Sequence, residues 1–357
     1  MNSGKSKLLA KVKLAAGILP KYAKYKLGGA PTPVLVTFGI TNRCNLKCSY
    51  CFANLPGREN IDLPTEKLLS YIDQFIDMGT KEIDLQGGEP TLHPDLPKLI
   101  DRIVQRGAVC SMATNGFMVA KHIDALKKCY SICVSIDGTK ETTDANRGAG
   151  AYDCAVAALD IMYRSGINTR IHGVLNSKTT KEDISHLASM ARKYGTNVNF
   201  VYALDTGTQK TGCDEKTGFP QHIRELVAYL RALKQRGEPI TSKDGAINQV
   251  LNWPCNPQDI LIEGEMSAEK LAAVKKHKIP RCLWGHMAVF FNTDDRLYLC
   301  PRAYDREGYF VKINGRPLKD AFAELARAKK CYNCGQMGDL SYSLSFLPDN
   351  IKTWLKF

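Results

Sequence analysis

Cys44, Cys48 and Cys51 stand in the stretch TNRCNLKCSYCFA, a C-x3-C-x2-C spacing that gathers three thiols into one short loop. Three thiolates can hold three irons of a [4Fe–4S] cluster and leave the fourth iron open to a small ligand. Structural zinc sites take four protein ligands, and disulfides use cysteines in pairs, so a three-ligand knot suits neither. Four more cysteines, Cys282, Cys300, Cys331 and Cys334, stand late in the chain. Four thiols in two pairs suit either a fully ligated iron–sulfur cluster or a zinc ion.

Other groups able to do chemistry follow the knot in chain order. GGEP occupies Gly87, Gly88, Glu89 and Pro90, followed by Thr114-Asn115-Gly116, Ser135-Ile136-Asp137-Gly138 and Asn146-Arg147-Gly148. Tyr50 directly precedes the last cysteine of the knot. This succession resembles the radical S-adenosylmethionine (radical SAM) superfamily, strongly over residues 33–205 and more loosely over 280–335. The resemblance implies that Cys44, Cys48 and Cys51 hold a [4Fe–4S] cluster that binds SAM by its amino and carboxylate groups. It implies one-electron cleavage of SAM to a 5′-deoxyadenosyl radical, and a reductant such as flavodoxin or ferredoxin. It also implies that Gly87, Gly88 and Glu89 line the methionine part of SAM, where a missing Cβ lets the backbone come close. Thr114, Asn115, Ser135 and Asp137 are expected at the ribose hydroxyls of SAM or at the substrate. Arg147 is expected at the SAM carboxylate, which a guanidinium meets in a two-bond fork. Asn176 is a further candidate, and Gly173 falls where the family places adenine contacts. Each of these also reads as a turn or a helix cap.

The late cysteines surround an expected hairpin, AVFFNTDDRLYLC, turning at Asp294-Asp295. A helix over 317–329 is expected to deliver the C-x2-C pair. This arrangement resembles the twitch extension of the superfamily, a shortened SPASM domain, and implies one auxiliary [4Fe–4S] cluster, two clusters in all. Zinc stays open as the other reading, and Cys255 could displace one of the four ligands. Cys110, Cys129, Cys133, Cys154 and Cys213 read as ordinary buried or surface thiols.

The elements that must position these groups follow a regular pitch. Strands are expected over 34–40, 81–86, 108–114, 130–136, 168–175 and 198–203. Helices are expected over 64–79, 95–107, 118–128, 151–165 and 180–194. Strand and helix in alternation mean βα units around a parallel sheet. Six units match the α/β fold that the resemblance implies: a partial (β/α)6 TIM-type barrel with a small C-terminal, twitch-like, cluster-binding extension. Every motif falls at an expected strand end, where such barrels carry their active groups. Further helices are expected around 220–236 and 267–277, and WPCNP at 253–257 reads as a loop. The expected divisions are a basic N-terminal helix (1–32), the barrel (33–205), linking helices (206–280) and the auxiliary-cluster region (281–357).

Composition bounds the rest. The chain has 357 residues, a net charge of +13 and thirteen cysteines. No secretory signal or apolar run of membrane-spanning length is visible, so a reduced, cytoplasmic setting is expected. Every charged residue before Glu59 is basic. Leu8, Val12, Ala15 and Leu19 recur at helical spacing among the lysines, which suits a helix lying on an anionic membrane or one packed on the barrel. Nucleic acid is not expected, because the basic residues are not interleaved with stacking aromatics. The functional expectation is an enzyme that oxidises or rearranges a small or lipid-linked molecule, the auxiliary cluster accepting an electron. Two alternatives stand beside it. One is a peptide or protein maturase, disfavoured by the short segment before the first strand. The other is a non-catalytic iron–sulfur or zinc scaffold.

Overall fold

Alternation of apolar residues gives each strand one face for helices and one for the barrel interior, and the sheet follows it. The computed structural model describes residues 3–51, 62–203, 219–253, 260–301, 307–329 and 331–334, with side chains from residue 12 onward. Cys213 and Cys255 lie outside the described residues. Six strands pair in parallel and in chain order: β1 (Leu35–Thr41), β2 (Glu82–Gly87), β3 (Val109–Thr114), β4 (Ser131–Ser135), β5 (Thr169–Leu175) and β6 (Val198–Tyr202). Helices α2 (Thr65–Met78), α3 (Leu96–Gln105), α4 (Val119–Leu126), α6 (Ala151–Arg164) and α7 (Lys181–Lys193) alternate with them. The fold is the expected α/β partial barrel. An additional short helix, α5 (Lys140–Arg147), lies between β4 and α6.

Local chemistry explains the helix bounds. In α2 the buried residues Leu68, Tyr71, Ile72 and Phe75 fall on one stripe, and Gly79 ends the helix in the left-handed region at φ 106°. Thr180 and Asp183 cap α7 reciprocally. The outward rows Val36, Phe38 and Ile40, Ile83 and Leu85, and Ile132 and Val134 are all fully buried under these helices. Each such side chain contributes roughly 2 kcal/mol.

The sheet runs on past β1. Strand β8 (Ala288–Asn292) pairs with β1 in parallel, and β9 (Arg296–Tyr298) and β10 (Phe310–Lys312) continue it antiparallel. The late hairpin is thus the expected one, turning through Asp295 at φ 60°, and it extends the barrel sheet. Helix α11 (Leu318–Ala328) packs on α2 and leads to β11 (Cys331–Cys334), which pairs with β7 (Ile260–Ile262). The C-x2-C pair therefore sits in a strand after the helix.

Helix α1 (Ser3–Lys26) buries Leu14, Ile18 and Tyr22 against Val34, Leu283 and Met287, with Val109 and Tyr130 alongside. Val34, Val109 and Tyr130 lie at or just before strand starts, so α1 caps the N-terminal end of the barrel. The row expected from the sequence was another: Val12 is 47% and Leu19 36% exposed. That face packs Leu14, Ile18 and Tyr22 on the barrel, and membrane association finds no support here. Among the described residues no helix is long and apolar enough to cross a membrane.

Candidate functional site

The cysteine loop leaves β1 and is tied down at three places. Gly88 N donates to Thr41 O (2.7 Å) and Glu89 N to Arg43 O (2.8 Å). Gly87 lies at φ 136°, and a Cβ there would come within 2.1 Å of Thr41 O. A Cβ on Gly88 would come within 2.0 Å of Arg43 O. These glycines are glycines first because β2 must press against the entry of the cysteine loop, a packing reason distinct from the expected approach to SAM.

Glu89 is 2% exposed and its carboxylate is fully engaged. It accepts from Thr91 N (3.1 Å), Thr91 Oγ1 (2.6 Å), Thr114 Oγ1 (2.7 Å) and Asn115 N (2.7 Å). Burial pushes its pKa up, and these four donors oppose that. Asn115 in turn donates from Nδ2 to Asn45 Oδ1 (2.8 Å) inside the cysteine loop. Glu89, Thr114 and Asn115 thus form a brace joining the ends of β2 and β3 to the loop.

Asp137 is the second node, just past β4. It accepts from Tyr50 Oη (2.5 Å), Arg147 Nε (3.1 Å), Arg147 Nη2 (2.8 Å) and Val174 N (3.2 Å). Its side chain is fully buried and that of Arg147 is 8% exposed. The guanidinium also lies over the Tyr50 ring, 5.6 Å from its centroid. The fork expected to meet a SAM carboxylate is therefore occupied by Asp137, which leaves the second terminal nitrogen of Arg147 as its remaining donor. The third tie is Ser49 N donating to Asn146 O (2.8 Å). The Asn146 side chain is 2% exposed, and neither of its amide atoms has a partner among the described residues.

The other expected residues separate. Ser135 faces the barrel interior and is half-buried. Asn176 accepts from Lys178 N (2.9 Å) and closes a turn after β5. Gly173 faces the helices, where a Cβ would meet Leu187 and Phe200, so it does not line the interior. Sequence reasoning assigned no role to Tyr50 beyond the resemblance and none to Asn146. An aromatic held between two cysteines and a buried Asn beside Arg147 were the available signals.

The thiols respond to their setting. Burial raises Cys44 and pushes Cys48 up to about 11, with Arg147 opposing both. Among the described residues no three Cys, His, Asp or Glu side chains converge as they would around one metal ion. A cubane cluster places each cysteine on a separate iron and needs no such convergence. The knot supplies thiolate donors, and the buried Asn146 amide offers a donor and an acceptor beside them, so the residues fit a cluster with an aminocarboxylate ligand. Of the late cysteines, Cys282 lies against the C-x2-C strand, its N donating to Tyr332 O (2.7 Å) between Cys331 and Cys334, and Cys300 packs on the hydrophobic cluster that contains Cys282.

Residues 38–191 match the family model described as Radical SAM superfamily. Mycofactocin maturase MftC of Mycobacterium ulcerans is 27% identical over 86% of this chain and 81% of its own length. GTP 3′,8-cyclase of Aquifex aeolicus is 25% identical over 83% of this chain and 93% of its own. Among solved structures, Streptococcus suis SuiB bound to its precursor peptide SuiA superposes with a TM-score of 0.66 at 17% identity, covering 84% of this chain and 67% of SuiB. That likeness is one of fold.

Proposed function

We infer the reaction from one premise: the chain belongs to the radical SAM superfamily and is a radical SAM enzyme. Cys44, Cys48 and Cys51 would hold a [4Fe–4S] cluster, which would supply the electron for reductive cleavage of SAM and so the means of abstracting a hydrogen atom from substrate. The chain's own contribution is rigidity and orientation. The Glu89 brace and the Asp137 node hold the cysteine loop from both sides. Gly87 and Gly88 bring the β2 end under it, and Asn146 offers its amide to the aminocarboxylate of SAM. Thr114, Asn115, Asp137 and Asn176 act chiefly by positioning; Ser135 and the remaining Arg147 nitrogen face ligand.

The observation that carries this reading is the convergence of GGEP, Asn115, Asp137 and Asn146 on one cysteine loop (through Arg43, Asn45, Tyr50 and Ser49). A scaffold has no use for so much polar bracing around an open knot. The test is anaerobic reconstitution with iron and sulfide, followed by reductant and SAM. Wild type should release 5′-deoxyadenosine, and the Cys44→Ala/Cys48→Ala/Cys51→Ala variant none. Release by the triple variant overturns the assignment.

We further propose that Cys282, Cys300, Cys331 and Cys334 would hold an auxiliary cluster, which would supply an electron acceptor for an oxidative overall reaction. A peptide is the favoured substrate class. The similarity to a maturase spans most of both chains, which outweighs the short segment before β1. A small molecule is the second reading, supported by the similarity to a GTP cyclase over a like span. A lipid-linked substrate loses its motivation with the docking of α1. A flavodoxin- or ferredoxin-type protein serves as reductant.

A further inference from the structure

Strand register sets a row of polar residues on the inner face of the barrel. Parallel pairing aligns Ser135 of β4, His172 of β5 and Asn199 of β6. The residues before them, Val134, Ile171 and Val198, are fully buried under the helices, and a Cβ on Gly173 would meet Leu187 of α7. By alternation Ser135, His172 and Asn199 point the other way, into the barrel. All three are half-buried, so each keeps reachable surface.

The row lies beneath the Asp137 node. Asp137 stands two residues after Ser135 and accepts from Val174 N (3.2 Å), two residues after His172. Two residues of strand span about 7 Å. Asp137 also accepts from Tyr50 of the cysteine loop, so the row faces the space under that loop.

Deeper in the barrel the polar groups answer one another. Ser111 Oγ donates to Glu82 Oε1 (2.6 Å), Gln86 Nε2 to Asp84 Oδ2 (2.6 Å) and Arg170 Nε to Ser131 Oγ (3.0 Å). The row differs. Among the described residues neither the Ser135 hydroxyl nor the His172 imidazole makes a hydrogen bond. Asn199 accepts from Ser242 Oγ (3.4 Å) through Oδ1, which leaves its NH2. By contrast His93, His122, His186, His222 and His286 each have a bonded ring nitrogen. Polar groups enclosed by protein are nearly always bonded, so this row has capacity left for a ligand.

That capacity is uncharged. Serine and neutral histidine both donate and accept, and the asparagine NH2 donates. Burial and then Arg147 hold the His172 ring down at about 4, with Asp137 opposing and Arg170 adding to the fall, so the ring is neutral at pH 7. A neutral ring offers an anion no charge to pair with, whereas a peptide group brings both a donor and an acceptor. Neighbouring strands lie about 4.8 Å apart, so the row spans about 10 Å, the reach of about three residues of extended chain.

We propose that Ser135, His172 and Asn199 form a subsite that hydrogen-bonds the uncharged backbone amides of a peptide substrate, with His172 as the central contact. This rests on the radical SAM reading and on its peptide branch, and it places the peptide under the cysteine loop.

The test is footprinting of the reconstituted enzyme with diethyl pyrocarbonate, which labels reachable, neutral imidazoles, each histidine being read by peptide mass. His172 should label about tenfold faster than His122, which is buried and bonded to Thr91 O. Acetyl-tetraalanine amide, an uncharged peptide, should slow His172 labelling saturably, and inorganic phosphate should not. In calorimetric titration with the same peptide, Asn199→Leu and His172→Leu should each bind about tenfold more weakly. His172→Gln, which keeps a neutral donor and acceptor, should recover most of the loss. No labelling of His172, no protection by the peptide, equal protection by phosphate, or equal binding by His172→Leu and wild type overturns the proposal. The first three outcomes need no variant to fold. Release of 5′-deoxyadenosine from SAM by wild type is read in parallel. Its absence would sink the radical SAM reading while the footprint still reports on the subsite.

Discussion

Replacing Asp137 by Asn should unlatch the cysteine loop. Asp137 accepts four hydrogen bonds, from Tyr50, Val174 and two nitrogens of Arg147. Asn keeps one acceptor oxygen, turns an NH2 toward groups that are themselves donors, and removes the only carboxylate that Arg147 is bonded to among the described residues. Leaving a charge buried without its partner costs about 3–5 kcal/mol. For a chain of this length that is a fall in melting temperature of roughly 4–7 °C. The partner variant Asp137→Asn/Arg147→Met removes the orphaned charge and should recover a large part of the loss, a coupling of about 2 kcal/mol or more. The assay is thermal unfolding of the four proteins of the cycle, with iron content measured after reconstitution. Loss of the Tyr50 anchor should also lower iron retention in Asp137→Asn. If Asp137→Asn melts within 2 °C of wild type, or the double variant is no better than the single, the latch reasoning fails.

Three further outcomes are expected. Reconstituted protein should carry about eight irons per chain, read by iron analysis and Mössbauer spectroscopy as two [4Fe–4S] clusters; Cys331→Ala/Cys334→Ala should keep some SAM cleavage but lose product, and four irons plus one zinc would remove the electron acceptor. Gly88→Ala drives a methyl group toward Arg43 O, 2.0 Å from the built Cβ; a backbone oxygen cannot swing aside, so a loss of about 3 kcal/mol or more with reduced iron retention should follow, and a wild-type melting point would contradict it. Burial, with Glu82 adding to it, pushes Asp84 from its ordinary 3.8 up to about 7. A carboxyl raised on folding favours the folded state while protonated, so its stability contribution is full below about pH 4 and is lost as pH rises through about 7. Asp84→Asn should therefore gain on wild type between pH 5 and pH 8, by up to about 3 kcal/mol, and a melting-point difference flat across that range would refute the shift.

Much of the barrel is legible in the chain. The runs that become β1 to β6 alternate or are wholly apolar, and each is bounded by a glycine or by a capping residue such as Thr180, so element type and order follow from local chemistry. Helix α5 was not expected because its sequence, KETTDANR, has no apolar stripe; it is held by the Arg147–Asp137 pair and by Thr139 at its N-terminus. Helix α1 was expected, but with its other face inward. Leu8, Val12, Ala15 and Leu19 and the row Leu14, Ile18 and Tyr22 are both at helical spacing. Only the apolar surface presented by Val34, Leu283 and Met287 selects between them.

The site divides along the same line. Sequence alone determined which atoms can do the chemistry: the thiols of Cys44, Cys48 and Cys51, the late quartet of cysteines, and the carboxylates and amides at strand ends. These are properties of residue type and of spacing within one loop or one strand. Tertiary structure decided who is engaged with whom. Glu89 is spent on Thr91, Thr114 and Asn115, and Arg147 on Asp137. These partners are far apart in the chain, and strand register with core packing determines whether they meet. A carboxylate's or a cation's task depends on its neighbours, because the cost of burying a charge is set by the partner that answers it.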